Sequence, residues 1–85
     1  MILENKENAL KRLKIRSWRR GTKEMDLILG NFANDNLVSL SSVELQTYDR
    51  FLNENDNDLY DWCSKKIEAP KMYRSLITKI MSNKI

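Results

Sequence analysis

Two glycines and one proline in 85 residues leave this chain almost without residues that turn a backbone sharply. A sandwich or barrel of short strands needs such residues at nearly every reversal, so an all-β architecture is excluded. What remains is a chain whose apolar residues recur at helical spacing between marked breaks. Hydrophobic residues make up 41% of it and include two Trp, three Tyr and two Phe, enough for a core and too many for disorder. At this length a single domain over 1–85 is expected, burying roughly 60–65% of the surface its unfolded form exposes.

The reading is all-α, a compact bundle of about five short helices. A first helix is expected over about 4–19, with Leu3, Leu10, Leu13 and Ser17 near one stripe and Ile15 and Trp18 off it. Its stop falls at Arg20-Gly21, with Gly21 in the left-handed position past a helix end. A second helix over about 22–33 presents Met25, Ile28, Leu29 and Phe32 on one face, with Gly30 inside it and Asn34-Asp35-Asn36 ending it. Ser41 and Glu44 form a capping box for the third, flanked by Leu40 and Leu45 as a staple. Its inward stripe is Leu45, Tyr48, Phe51 and Leu52. After a break over 53–57, Asp56 or Asp58 caps a short fourth helix over about 58–66 carrying Leu59, Trp62 and Cys63. Pro70 opens a fifth, with Met72, Tyr73, Leu76, Ile77, Ile80 and Met81 on its apolar face.

Several chemistries are excluded outright. The chain has no histidine, which removes Ser-His-Asp and Cys-His catalysis and every His-ligated metal site. Its single cysteine permits neither an intramolecular disulfide nor a cysteine zinc site, and a lone thiol fits a reducing compartment. The acidic segment over 49–61 lacks the central Gly and terminal Glu of a calcium loop. Cys63, beside Trp62 on a packing face, reads as a small buried hydrophobe. Tyr48, Tyr60, Tyr73 and both Trp read as core rather than as stacking platforms. No apolar run approaches the ~20 residues that span a bilayer, and the opening residues lack the pattern of a signal or transit peptide. A cytoplasmic protein without catalytic residues, metal or membrane contact is expected.

The net charge of +3 conceals segregation. Residues 1–24 carry eight Lys or Arg against three acids, 25–62 one Arg against eight acids, and 63–85 six Lys or Arg against one acid. Two explanations stand: a protein partner bearing both signs, or neutralisation of the three blocks within one bundle. A nucleic-acid or ribosome-associated protein using Lys11, Arg12, Lys14, Arg16, Arg19 and Arg20 is the alternative function, and the acidic middle third counts against it.

One cluster stands apart at the junction of the first two helices: Arg19-Arg20-Gly21-Thr22-Lys23-Glu24, then Met25-Asp26. A corner displays side chains on a firm support, and Gly21, without a Cβ, allows another group to come close. Arg20 offers planar forked contacts and Glu24 a carboxylate near a helix N-terminus. A plain capping glycine with a first-turn acid explains the same residues.

The string Arg20-Gly21-x-x-Glu24 resembles the R-G-x-x-E signature of the succinate dehydrogenase assembly factor, or flavinylation factor, family. The neighbours resemble it too: Arg16-Ser17-Trp18-Arg19 before, and Met25-Asp26-Leu27-Ile28-Leu29-Gly30-x-Phe32 after. Leu40-Ser41-x-x-Glu44, Tyr48, Leu52, Asp58-Leu59-Tyr60-x-Trp62 and Pro70 follow in the family's order, so the likeness runs over about 10–72. Two places depart: Asp56-Asn57 stands where members often have Asp-Pro, and Lys65 where many have Gly. The resemblance implies an assembly factor rather than an enzyme. It implies binding to the flavoprotein subunit of succinate dehydrogenase, and in some bacteria of fumarate reductase, and help in attaching FAD covalently there. No FAD is expected to stay bound to the chain itself. Carried onto this sequence, the partner-binding residues are Arg19, Arg20, Gly21, Glu24 and Asp26.

Overall fold

A computed structural model describes residues 5–83. Five α-helices follow one another: α1 (Lys6–Trp18), α2 (Lys23–Asn36), α3 (Ser42–Phe51), α4 (Asp56–Cys63) and α5 (Lys71–Ser82), with a 3-10 turn at Leu37–Ser39. No strand occurs among the described residues. The all-α reading therefore holds, and its boundaries shift in ways that local chemistry explains.

Helix α1 starts at the cap Asn5, whose side chain accepts from the Asn8 N–H, and ends at Trp18. Its stop is not a glycine cap: Arg19 takes that place with φ −117°, and no glycine here has positive φ. Leu3 lies outside the described residues. Helix α2 is capped by Thr22 and runs to Asn36, through the Asn-Asp-Asn stretch expected to end it. Burial of Ala33 and Leu37 outweighs the turn preference of those exposed or half-exposed polar residues. The capping box of α3 forms as expected: Glu44 N–H donates to Ser41 Oγ at 3.1 Å, and Ser41 N–H donates to Glu44 Oε1 at 2.9 Å. Leu40 and Leu45 beside it are both buried.

Asn55, rather than Asp56 or Asp58, caps α4, accepting from the Asp58 N–H at 2.9 Å. That helix stops at Cys63, earlier than expected, because Lys65 swings into the left-handed region at φ 64°. Its N–H then donates to the Trp62 carbonyl, and that of Lys66 to the Asp61 carbonyl. Lys65 thus occupies a backbone position suited to glycine. Pro70 is the cap of α5 rather than its first helical residue.

The core is one cluster drawn from all five helices. Phe32, Tyr48, Phe51, Trp62 and Tyr73 form a chain of ring contacts across α2 to α5, the closest being Phe51 on Tyr73 at 5.2 Å. Ser17 is buried with it, donating to the Leu13 carbonyl at 2.7 Å and sharing a 2.6 Å hydrogen bond with the Tyr48 hydroxyl. Burial pushes that phenol up to about 12. Four residues expected in the core sit outside it: Trp18, Tyr60, Met72 and Met81 are exposed. Gly30 lies under the Trp18 ring, in the place where a Cβ would stand.

Candidate functional site

Three arginines at i, i+4 and i+8 run down one side of α1 and past its end, and all three turn inward. Arg12 grips Asp49 of α3 with both terminal nitrogens, at 3.0 and 2.9 Å. Arg16 reaches the same carboxylate at 2.9 Å, the Leu52 carbonyl at 3.1 Å and the Asn53 side chain at 2.8 Å. The Arg12 hydrogen bond, with Arg16 beside it, holds the Asp49 carboxyl below its ordinary range. In the first turn of α3, Glu44 pairs with Lys79 of α5. These ion pairs join basic outer thirds to the acidic middle third, so neutralisation within the bundle accounts for much of the charge segregation. A phosphate-binding surface loses three of its six expected cations to this internal use.

Arg20 is the third of the row and the most enclosed, its side chain 11% exposed. Nε donates to Asp56 Oδ1 at 2.9 Å, one terminal nitrogen to the Leu52 carbonyl at 2.8 Å, and the other to the Glu54 carbonyl at 3.0 Å. It thereby satisfies carbonyls just past the end of α3 and holds the first residue of α4. The corner backbone is fixed from both sides. The Arg20 N–H donates to Asp26 Oδ1 at 2.6 Å, and the Gly21 N–H donates to Asp56 Oδ2. A Cβ built on Gly21 would stand 2.5 Å from that same Asp56 oxygen. Thr22 completes the corner by accepting from the Met25 N–H at 3.2 Å.

The five sequence-derived site residues thus divide. Arg20, Gly21 and Asp26 are engaged within the molecule. Arg19 and Glu24 are exposed, and neither side chain has a hydrogen bond or ion pair among the described residues. Glu24 borders a small cleft of about 170 Å³ with Thr22, Asp56, Asn57, Tyr60 and Asp61. Tyr60 is 43% exposed there. A larger cavity of about 440 Å³ lies between α4 and α5, lined by Trp62, Ile67, Ala69 and Ile77 among others, away from the corner. Sequence reasoning assigned Asp56 only a capping role and Tyr60 only a core role. The signal for Asp56 would have been a carboxylate 36 positions from Arg20, which no local pattern reveals. Cys63 is buried as expected, and burial pushes its thiol up to about 11. Among the described residues no cluster of side chains suits a metal ion, and no helix is long and apolar enough to cross a membrane.

The family model described as "Flavinator of succinate dehydrogenase" matches residues 11–84. The chain belongs to that family. Similar proteins include the "Succinate dehydrogenase assembly factor 2, mitochondrial" of Schizosaccharomyces pombe, 42% identical over 72 residues covering 85% of this chain and 52% of that protein. The Dictyostelium discoideum protein of the same name is 34% identical over 77 residues, covering 91% and 55%. The one from Arabidopsis thaliana is 31% identical over 86 residues, covering 94% and 46%. The chain spans about half the length of these relatives. Membership agrees with the resemblance carried by Arg20, Gly21 and Glu24. The cytoplasmic expectation is corrected: the relatives are named as mitochondrial, which points to mitochondria. The signals behind that expectation, a lone thiol and the lack of an apolar run of bilayer length, are common to every reducing aqueous compartment and do not choose between them.

Proposed function

We propose that this chain docks on the flavoprotein subunit of succinate dehydrogenase, or of fumarate reductase where a cell has one, and promotes covalent attachment of FAD to it. The observation that carries this reading is Glu24: a carboxylate with no partner among the described residues, displayed on a corner whose backbone is held by Asp26 and Asp56. An acid without an internal partner, on so firmly braced a base, suits recognition better than stability. Arg19 extends the contact on one side and Tyr60 on the other, with Asp26 and Gly21 shaping the corner beneath them.

The attacking imidazole must come from the partner, because this chain has no histidine. The contribution proposed for this chain is geometric. Binding holds the flavoprotein with its histidine against the flavin ring, and such positioning removes several kcal/mol of barrier. On this reading the chain is a chaperone of an autocatalytic step and turns nothing over itself.

The test is a strain lacking the gene, with covalent flavin read as in-gel fluorescence of the denatured flavoprotein. The signal falls in the deletion strain, returns with the wild-type gene and fails to return with Glu24→Ala. The purified variant keeps its helical spectrum and a stability within about ±0.5 kcal/mol of wild type, as a surface change should. Undiminished covalent flavin in the deletion strain would remove the function; full rescue by Glu24→Ala would remove the site.

A further inference from the structure

We infer that Asp56, outside the R-G-x-x-E string, is a positioning residue for the docking corner, and that Gly21 is a glycine in order to admit the Asp56 carboxylate. The inference rests on the reading of the corner as the flavoprotein contact, and it changes what the signature is for.

Asp56 uses both oxygens on adjacent residues of the corner: Oδ1 accepts from Arg20 Nε at 2.9 Å and Oδ2 accepts from the Gly21 N–H. One carboxylate therefore joins the start of α4 to the link between α1 and α2. An amide could not replace it, since it has one acceptor oxygen and would set its NH2 against a donor. Gly21 has no positive φ, so backbone freedom does not require glycine there. Space bears on it instead: an added Cβ would stand 2.5 Å from Asp56 Oδ2, so the carboxylate, tethered by Arg20 Nε, would have to shift off the Gly21 N–H. The close approach that Gly21 permits is thus already occupied from within the molecule. Glu24 sits three residues along, in the first turn of α2, and shares its cleft with Asp56 and Tyr60. The clamp sets where Glu24 stands relative to α4. Arg20 and Gly21 hold the surface, and Glu24 meets the partner.

Binding of the full chain to purified flavoprotein subunit, together with amide hydrogen exchange at Gly21, separates the possibilities. Asp56→Asn and Asp56→Ala each weaken binding about tenfold or more, with the fraction folded checked by circular dichroism, and each loses protection at the Gly21 amide. Gly21→Ala weakens wild type similarly but adds nothing in the Asp56→Ala background, where the obstructing carboxylate is gone. Glu24→Ala likewise adds little to Asp56→Ala, because Asp56 acts through the placement of Glu24. Unchanged affinity in Asp56→Asn would overturn the inference. So would a further loss on adding Gly21→Ala to Asp56→Ala, which would return Gly21 to direct contact with the partner. If wild type itself fails to bind, the proposed function falls. The exchange measurement still judges the clamp in that case, since protection at Gly21 that survives Asp56→Asn excludes it.

Discussion

At the scale of single residues, two backbone positions carry opposite kinds of tension. Lys65 holds a left-handed conformation, φ 64°, at the end of α4, and its Cβ makes that costly. Lys65→Gly should stabilise the protein by about 0.5–1 kcal/mol, net of the extra entropy glycine loses on folding. A raised melting temperature with an unchanged helical spectrum is the expected result. Gly30 is the reverse case, a helix-interior glycine with the Trp18 ring lying on it. Gly30→Ala gains up to about 1 kcal/mol of helix propensity but must push the indole off. The expected signature is a red-shifted Trp18 emission, read in a Trp62→Phe background, with little change in melting. The Tyr48 hydroxyl, buried against Ser17 at 2.6 Å, is a third such point. Tyr48→Phe should cost about 1–2 kcal/mol, since Ser17 keeps only its bond to the Leu13 carbonyl.

At the scale of elements, the capping box of α3 is also an anchor for α5. Glu44 caps its own helix and pairs with Lys79, and these contacts, the Lys79 one foremost, lower its carboxyl from 4.5 to about 2. A carboxyl depressed by folding contributes stability above its unfolded value and loses it as pH falls through the folded one. Melting temperature should therefore decline between about pH 4.5 and pH 2, and Glu44→Gln should flatten part of that decline. Asp49, also lowered, through Arg12 and Arg16, adds to the same acid limb. An acid profile that Glu44→Gln leaves unaltered would show that the cap and the α3–α5 pair do not hold in solution. Ser41→Ala tests the other half of the box and should cost about 1 kcal/mol at neutral pH.

At the scale of the molecule, one apolar cluster serves five helices, so core damage cannot stay local. Phe32 and Leu52 are 1% exposed and lie on α2 and at the end of α3. Replacing either by Ala should cost about 2–5 kcal/mol, comparable to the whole stability of a small domain. A thermal scan in which both variants melt like wild type would contradict the packing described above. The row of Arg12, Arg16 and Arg20 works at this scale too, since it ties α1 and the corner to α3, the loop after it and α4. The Arg12 and Arg16 pairs are partly solvated and worth little alone, whereas Arg20 is the more enclosed and fixes the corner against α4.

The helical class, the inward faces of α2 and α3 and the Ser41–Glu44 box were legible in the chain because each depends on residues three or four apart. Cys63 was legible for the same reason, placed on a packing face by its spacing to Leu59 and Trp62. Turn preference misled at Asn34 to Asn36, where burial of Leu37 beyond them carried the helix on. Face assignment misled at Met72 and Met81, because the width of an apolar stripe is set by the neighbour that covers it. The string Arg20-Gly21-x-x-Glu24 marked the proposed contact, but sequence alone could not tell which of its residues turn inward and which outward. That division was made by Asp56, far along the chain, which folding brings against the corner. A side chain's role in a site depends on which groups tertiary packing sets beside it, and local spacing carries no record of contacts closed across such a distance.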